Sequence, residues 1–181
     1  MWISLWKNME FEDIFKQVDP IKGWMGRLDC LALYEYVKEV KGLIVEIGSY
    51  MGRSVKLMAL SSPECRIVSI DSYPKIYDHK ALLARDECIK TMDGENWQLI
   101  QKKSRDVEWK EPIDFLHIDG DHSYKAVKQD IELFAPHVKK GHYIFLHDYV
   151  VTNYGVKRAV EDSKKYFDEV KIVSGFACCR I

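Results

Sequence analysis

The sequence predicts an α/β fold built on a doubly wound, mostly parallel sheet. From Leu43 onward, short apolar runs alternate with amphipathic stretches. Near-continuous apolar runs are typical of parallel strands that are covered on both faces, and their alternation with helical stretches indicates βαβ units. The length of 181 residues and the absence of a Pro/Gly/Ser-rich linker predict one domain over residues 1–181.

Seven segments have the composition of strands. Five are buried apolar runs, at residues 43–47, 66–70, 97–100, 113–118 and 143–146. The last two, at 170–173 and 176–180, flank Ser174-Gly175 and predict a C-terminal antiparallel hairpin that closes the sheet. The sheet should therefore contain about seven strands.

Helical periodicity occurs between these strands. Apolar residues share one helix face in four places: Leu33, Tyr36, Val37 and Val40; Val55, Met58 and Ala59; Tyr124, Val127, Ile131 and Phe134, with Ser123 as N-cap; and Val156, Ala159, Val160 and Phe167. At the N-terminus two opposed apolar faces precede and follow Glu10, which predicts a break there. Residues 1–22 are expected to form a helical lid or interface segment, and packing against the fold is the alternative that stays open.

Composition narrows the class of function. The net charge is −1 and the isoelectric point is about 6.6, so no basic stripe marks a nucleic-acid partner. No run approaches the ~20 apolar residues of a membrane span, and no signal peptide is recognisable at the start, so a cytoplasmic protein is expected. The five cysteines lack a C-x-x-C spacing, which favours buried reduced thiols.

The loop after the first strand predicts a ligand. Glycines at positions 48 and 52 permit a tight strand-to-helix turn. The dinucleotide fingerprint fails because Glu46 and Met51 stand where it requires glycine, and the P-loop fails because the segment is one residue short and Arg53 replaces its lysine. Glu46 would repel a pyrophosphate but attract a positively charged ligand. Asp71, after the second strand, could accept both hydroxyls of a ribose.

A second group of polar residues follows the fourth and fifth strands. Asp119 and His122 come after one of them, and His147 and Asp148 come after the other. Because neighbouring parallel strands end at the same edge of a sheet, these side chains should converge. Carboxylates with an imidazole nearby suit a divalent cation such as Mg²⁺, which could lower the pKa of a substrate hydroxyl. Asp121 and Ser123 are interpreted as turn and cap residues.

Three motifs together resemble a known family. The segments 46–54, 119–124 and 146–149 resemble class I S-adenosylmethionine-dependent methyltransferases with a Rossmann-like sheet. More narrowly, they are similar to a branch of small O-methyltransferases that includes macrocin O-methyltransferase and the cephalosporin-hydroxylase-like proteins. The resemblance runs from about Gly23 to Val160.

The resemblance implies roles for individual residues. It places the methionine part of S-adenosylmethionine at Gly48, with the ammonium near Glu46 and with Ser49, Tyr50, Gly52 and Ser54 in the same loop. It places the ribose at Asp71 and the adenine at Ser104 and Arg105. Asp119 lies beside the cofactor in this arrangement. It makes Asp119 and Asp148 metal ligands and His122 the general base. His147 stands where macrocin-type proteins have an acid, so a borderline ligand replaces a hard one.

The resulting hypothesis is O-methylation of a small hydroxylated acceptor. Two alternatives remain. A non-catalytic S-adenosylmethionine-binding module would need Gly48 and Asp71 but not His122 or Asp148. A nicotinamide oxidoreductase is disfavoured by the missing glycines. The sequence identifies neither the acceptor nor the oligomeric state, and a homo-oligomer remains an open expectation.

Overall fold

In the part of the chain that the structure describes, the sheet has seven strands, as the sequence predicts. The computed structural model describes residues 9–73, 79–151 and 155–181. The strands are β1 (Leu43–Ile47), β2 (Arg66–Ile70), β3 (Trp97–Ile100), β4 (Ile113–Ile118), β5 (Val138–Leu146), β6 (Glu169–Val173) and β7 (Phe176–Arg180). Their order is β3-β2-β1-β4-β5-β7-β6. Strands β1 to β5 are parallel, whereas β7 runs antiparallel to β5 and β6.

One strand is longer than the sequence predicts. Strand β5 begins at Val138 instead of Tyr143, because Val138 pairs with Ile113 ahead of a register irregularity between Ile113 and Phe115. The residues between Val138 and Tyr143 include Lys139, Lys140 and Gly141, which are exposed and hide the strand pattern.

Six helices cover the sheet in the described part of the chain. They are α1 (Phe11–Val18), α2 (Arg27–Val37), α3 (Arg53–Ser61), α4 (His79–Thr91), α5 (Tyr124–Phe134) and α6 (Val156–Glu161). The predicted cap of α5 is confirmed, since the Ser123 hydroxyl accepts from Ala126 N. The predicted extent of α6 is wrong. Phe167 lies beyond a short 3₁₀ turn, although it still packs against the core.

Helix α4 was not predicted because its apolar residues form no single stripe. Ala84 and Cys88 are buried, while Leu83 and Ile89 on the other side are exposed. A helix with apolar residues on both sides lacks the periodicity that sequence patterns detect.

The N-terminal region contributes to the core. Helix α1 begins directly after Glu10, whose backbone is extended, at the expected break. It buries Phe11, Ile14 and Val18 in the same cluster as α2 and α3. The sequence interpretation assigned all of residues 1–22 to a lid or interface, whereas residues 11–18 pack inside the fold. Residues 1–8, with the other predicted face, lie outside the described residues.

Two further expectations concern the whole chain. All five cysteines are buried and form no disulfide, as expected for the buried thiols that the sequence predicts. In the part of the chain that the structure describes, no helix has the length and apolar character needed to cross a membrane.

The strand order fixes where a ligand can bind. Strand β1 lies between β2 and β4. The strand order therefore reverses at β1, with β2 and β3 on one side and β4 and β5 on the other. In open α/β sheets, ligands bind at this switch point, outside the carboxyl ends of the strands. The loops that follow β1, β2, β4 and β5 therefore form the candidate site.

Candidate active site

The loop after β1 contains three residues with left-handed backbone. Gly48, Tyr50 and Gly52 have φ values of 89°, 48° and 90°, and Gly52 is the N-cap of α3. A Cβ on Gly48 would stand 2.3 Å from the carbonyl oxygen of Asp119. Only glycine satisfies both conditions, so the loop touches the end of β4 directly.

Asp71 binds this loop from the neighbouring strand. Its Oδ2 accepts from the backbone N–H groups of Ser49 (2.9 Å) and Tyr50 (3.2 Å), and its Oδ1 accepts from Tyr73 N (2.9 Å). Each carboxylate oxygen can accept twice, so Oδ1 keeps one acceptor position. The structure thus brings the predicted ribose acid and the glycine loop together.

Glu46 lies beneath the loop rather than at its surface. It is fully buried and accepts hydrogen bonds from the hydroxyls of Ser54 (2.5 Å) and Ser69 (3.0 Å). Its Oε1 is also 3.3 Å from His117 Nδ1, its partner in the β1–β4 register. Sequence reasoning missed this pair, because pairing register is a property of the fold.

The predicted adenine residues lie after the end of β3, where they contact α5. Ser104 and Arg105 lie in a 3₁₀ turn after β3, and the Ser104 hydroxyl donates to Asp130 Oδ1 of α5 at 2.5 Å. Burial raises the pKa of Asp130 to about 6, although the hydrogen bond from Ser104 opposes the shift. Arg105 is half exposed beside Asp106. Their contact with a cofactor stays a prediction.

Asp119, His122, His147 and Asp148 converge, as their positions predict. Asp119 Oδ1 is 3.1 Å from both His122 Nε2 and His147 Nδ1. His147 Nδ1 is 3.5 Å from Asp148 Oδ1, and His122 Nε2 is 3.6 Å from Asp148 Oδ2. One ligand atom from each residue lies within 4.8 Å of the others. Asp148 has a φ of 58°, so the cluster includes a strained backbone position.

The charges of the cluster are coupled. Burial alone would raise the pKa of Asp119, but hydrogen bonds from His122 and His147 outweigh it and hold the pKa well below its ordinary range. Burial alone would lower the pKa of His147, but the hydrogen bond to Asp119 and the charges of Asp119, Asp148 and Asp29 raise it to about 9. Asp119 and His147 therefore stabilise each other's charged forms within the cluster.

One residue near the cluster was missed by sequence reasoning. Asp29 on α2 accepts from Gly26 N (3.1 Å), Gly175 N (3.1 Å) and the Ser174 hydroxyl, and its Oδ2 is 3.9 Å from His147 Nε2. In the sequence it resembles an ordinary acid in the first turn of a helix. The only local sign is its spacing from Gly26, which indicates capping and not a site.

An exposed aromatic residue lies beside the glycine loop. The Trp24 ring is 4.7 Å from the Tyr50 ring, and Trp24 is 78% exposed. A large apolar side chain left in solvent next to a ligand loop is a candidate contact for a bound molecule.

These features define a class of protein. A parallel sheet with an antiparallel β7, a glycine loop after β1 and an acid after β2 are the architecture of class I S-adenosylmethionine-dependent methyltransferases. A family described as Methyltransferase domain matches residues 45–149, more than half of the chain. The chain belongs to this family and is an S-adenosylmethionine-dependent methyltransferase.

Solved structures share the fold at low sequence identity. The O-methyltransferase NovP has a TM-score of 0.69 at 18% identity, covering 86% of this chain and 80% of that one. CalS11, a TDP-rhamnose 3′-O-methyltransferase of calicheamicin biosynthesis, has a TM-score of 0.63 at 17% identity, covering 94% and 92%. An O-methyltransferase from Bacillus cereus in complex with SAH has a TM-score of 0.60 at 15% identity, covering 93% and 87%.

A sequence relative is found in Acanthamoeba polyphaga mimivirus. The protein called uncharacterized protein R132 is 33% identical over 112 residues. The match covers 58% of this chain and spans half the length of that relative.

Proposed function

We propose that this methyltransferase methylates a hydroxyl group of a small acceptor, with a divalent cation held at the ends of β4 and β5. The observation that carries the proposal is the contact between the glycine loop and Asp119. Gly48 leaves no room for a Cβ against the Asp119 carbonyl, so a methyl donor on the loop would lie next to the acid–histidine cluster. Acceptor, base and methyl donor would then share one cleft.

The residues of the loop fit S-adenosylmethionine. Asp71 Oδ1 keeps an acceptor position for a ribose hydroxyl, and Ser49 Oγ is a buried hydroxyl without a partner among the described residues. Glu46 is buried and engaged, so we expect it to act on the methionine ammonium through its charge and through Ser54 instead of by direct contact. When bound, the cofactor supplies a sulfonium methyl group that needs no further activation.

The cluster fits a cation. Two carboxylates and two imidazoles offer ligand atoms within 4.8 Å of one another, a spacing that one ion can span. Asp119, His147 and Asp148 would hold the ion, and a bound divalent cation would lower the pKa of an adjacent acceptor hydroxyl.

In this proposal, His122 takes the acceptor's proton. Its Nε2 lies 3.1 Å from Asp119 Oδ1, so the carboxylate can orient the imidazole beside the acceptor site. A carboxylate that orients a histidine in this way recurs in general-base catalysis. His122 would take the hydroxyl proton of the acceptor, and the cofactor, when bound, would supply its methyl group to the acceptor oxygen. The protein's main task is alignment of these atoms.

The test combines a survey of acceptors with one substitution. Methyl transfer from labelled S-adenosylmethionine is measured on sugar, phenol and polyketide-type hydroxyl compounds and on matched amines and thiols. We expect transfer to oxygen, and we expect His122→Ala to reduce turnover by ~10²–10⁴-fold. Affinity for S-adenosylhomocysteine should stay unchanged in that variant, since His122 lies outside the loop. Transfer to nitrogen only, or full turnover in His122→Ala, would contradict the proposal.

A further inference from the structure

The cluster at the ends of β4 and β5 contains nitrogen donors as well as carboxylate oxygens. His147 Nδ1 lies 3.1 Å from Asp119 Oδ1 and 3.5 Å from Asp148 Oδ1. Neighbouring ligand atoms of an octahedral ion lie about 3 Å apart when each is ~2.1 Å from the ion. His147 Nδ1 therefore already lies from both carboxylates at separations close to those that a single ion requires.

The other ring nitrogen of His147 faces a carboxylate. Its Nε2 is 3.9 Å from Asp29 Oδ2, and three hydrogen bonds from Gly26, Ser174 and Gly175 fix Asp29 in place. Histidines that bind metals usually donate their second N–H to such a carboxylate, which sets the ring orientation and the tautomer. His147 is also buried, so its ring has little freedom to turn. At 3.9 Å the contact is longer than a hydrogen bond, so Asp29 supports this orientation of His147 through its charge.

We propose that the site takes a borderline divalent cation, of the Mn²⁺ or Zn²⁺ type, in preference to Mg²⁺. His147 Nδ1, Asp119 and Asp148 bind the ion, and Asp29 is the positioning residue behind His147. An imidazole ligand favours the later divalent metals, whereas Mg²⁺ prefers an all-oxygen site with several waters. The inference rests on the proposed function, since the ion would serve the same acceptor site.

The competing arrangement is free of metal. The hydrogen bond between His147 Nδ1 and Asp119 Oδ1 and the contact of His147 with Asp148 would then be purely structural. The two arrangements differ in whether purified protein binds an added ion at this position at all. They can therefore be separated without an acceptor and without turnover.

The first measurement compares two ions in two proteins. Calorimetry gives the dissociation constants of Mn²⁺ and Mg²⁺ for the unmodified chain and for His147→Asp. Mn²⁺ binds many oxygen sites more tightly than Mg²⁺, so the informative quantity is the ratio of the two constants. We expect the preference for Mn²⁺ to fall by about tenfold or more in His147→Asp, which restores an all-oxygen site. An unchanged ratio would overturn the role of His147.

The second measurement identifies the ligand directly. Electron spin-echo spectroscopy of bound Mn²⁺ should show coupling to an imidazole nitrogen in the unmodified protein. The coupling should disappear in His147→Asp and persist in the control variant His122→Ala. Bound Mn²⁺ without a nitrogen coupling, or a coupling that disappears only in His122→Ala, would overturn the proposed ligand set.

The third measurement concerns Asp29. Asp29→Asn keeps the shape of the side chain and the acceptor for Gly175 N, and we expect it to weaken Mn²⁺ binding ~10–100-fold. In a His147→Asp background the same change should have little effect, because no imidazole is left to orient. Equal losses in both backgrounds would show that Asp29 acts only on the structure of the β6–β7 turn.

The outcomes separate the inference from the proposed function. Absence of Mn²⁺ binding at millimolar concentration, with normal binding of S-adenosylhomocysteine, would overturn the metal site and leave methyl transfer by alignment. Binding of Mn²⁺ through His147 without any transfer to hydroxyl acceptors would support the inference and overturn the acceptor class.

Discussion

At the scale of single residues, Gly48 joins the two halves of the site. Its φ of 89° and the 2.3 Å between a built Cβ and the Asp119 carbonyl describe two separate obstacles to substitution. The first is backbone strain and the second is a clash with backbone that has no flexible end to move. Both must be relieved by shifting the loop away from β4.

We therefore expect Gly48→Ala to destabilise the fold and to abolish binding of S-adenosylhomocysteine. Gly94→Ala is the matched control, since Gly94 has a similar φ of 82° but nothing within 4 Å of its built Cβ. Strain alone should cost about 1–3 kcal/mol in both variants. Chemical denaturation and calorimetry measure the difference. If Gly48→Ala and Gly94→Ala were equally destabilised and Gly48→Ala still bound the cofactor, the close contact between Gly48 and the Asp119 carbonyl would be refuted.

Asp130 gives a prediction for pH. Its pKa is raised from 3.8 to about 6 by burial, so the folded chain holds this proton more tightly than the unfolded chain does. The contribution of the group to stability is then full below about pH 4 and is lost as pH rises through about 6. Above that range the fold carries a buried carboxylate at a cost of up to about 3 kcal/mol.

Asp130→Asn should remove this cost and still accept the Ser104 hydrogen bond. We expect the variant to be more stable than the unmodified protein at pH 8 and to lose most of that advantage at pH 4. Thermal unfolding at several pH values provides the measurement. A stability advantage of Asp130→Asn that increases toward low pH would contradict the prediction.

At the scale of elements, α1 is the helix whose position in the structure differs most from the role predicted from the sequence. Its buried residues pack with α2 and α3, and α3 follows the glycine loop directly. Ile14 is fully buried. The position of the loop thus depends on a helix that the sequence alone assigned to a lid or interface.

We expect Ile14→Ala to cost about 2–5 kcal/mol of folding stability, as large-to-small changes in a core do. Deletion of residues 1–8 is the contrasting change, since it leaves Phe11, Ile14 and Val18 of α1 in place. That shorter chain should fold and bind S-adenosylhomocysteine. A chain in which Ile14→Ala has no effect on denaturant unfolding would show that α1 does not belong to the core.

The strands and the predicted polar residues could be found from sequence for a physical reason. A central parallel strand is apolar on both faces, and its carboxyl end lies at the ligand edge, so Asp71, Asp119 and Asp148 could be placed by counting from the strands. Helix α4 could not be found because its apolar residues form no stripe. Asp29 and the Glu46–His117 pair could not be found because tertiary packing alone creates their contacts.

At the scale of the whole molecule, one sheet edge gathers every candidate group. Asp71 holds the loop after β1, Gly48 touches the end of β4, and His147 at the end of β5 touches Asp119. The contacts form a continuous path from the proposed ribose site to the proposed acceptor site. Binding of the cofactor at this edge is therefore the central expectation for the molecule.

Thermal unfolding with added ligands tests that claim most directly. S-adenosylhomocysteine at about 100 times its dissociation constant should stabilise the chain by about 2.7 kcal/mol, which corresponds to roughly 5–10 °C for a protein of this size. Asp71→Asn should reduce the shift, because the loop loses its anchor and the ribose loses an acceptor. NAD and ATP should produce no shift. A chain that NAD stabilises while S-adenosylhomocysteine leaves its melting temperature unchanged would contradict the account.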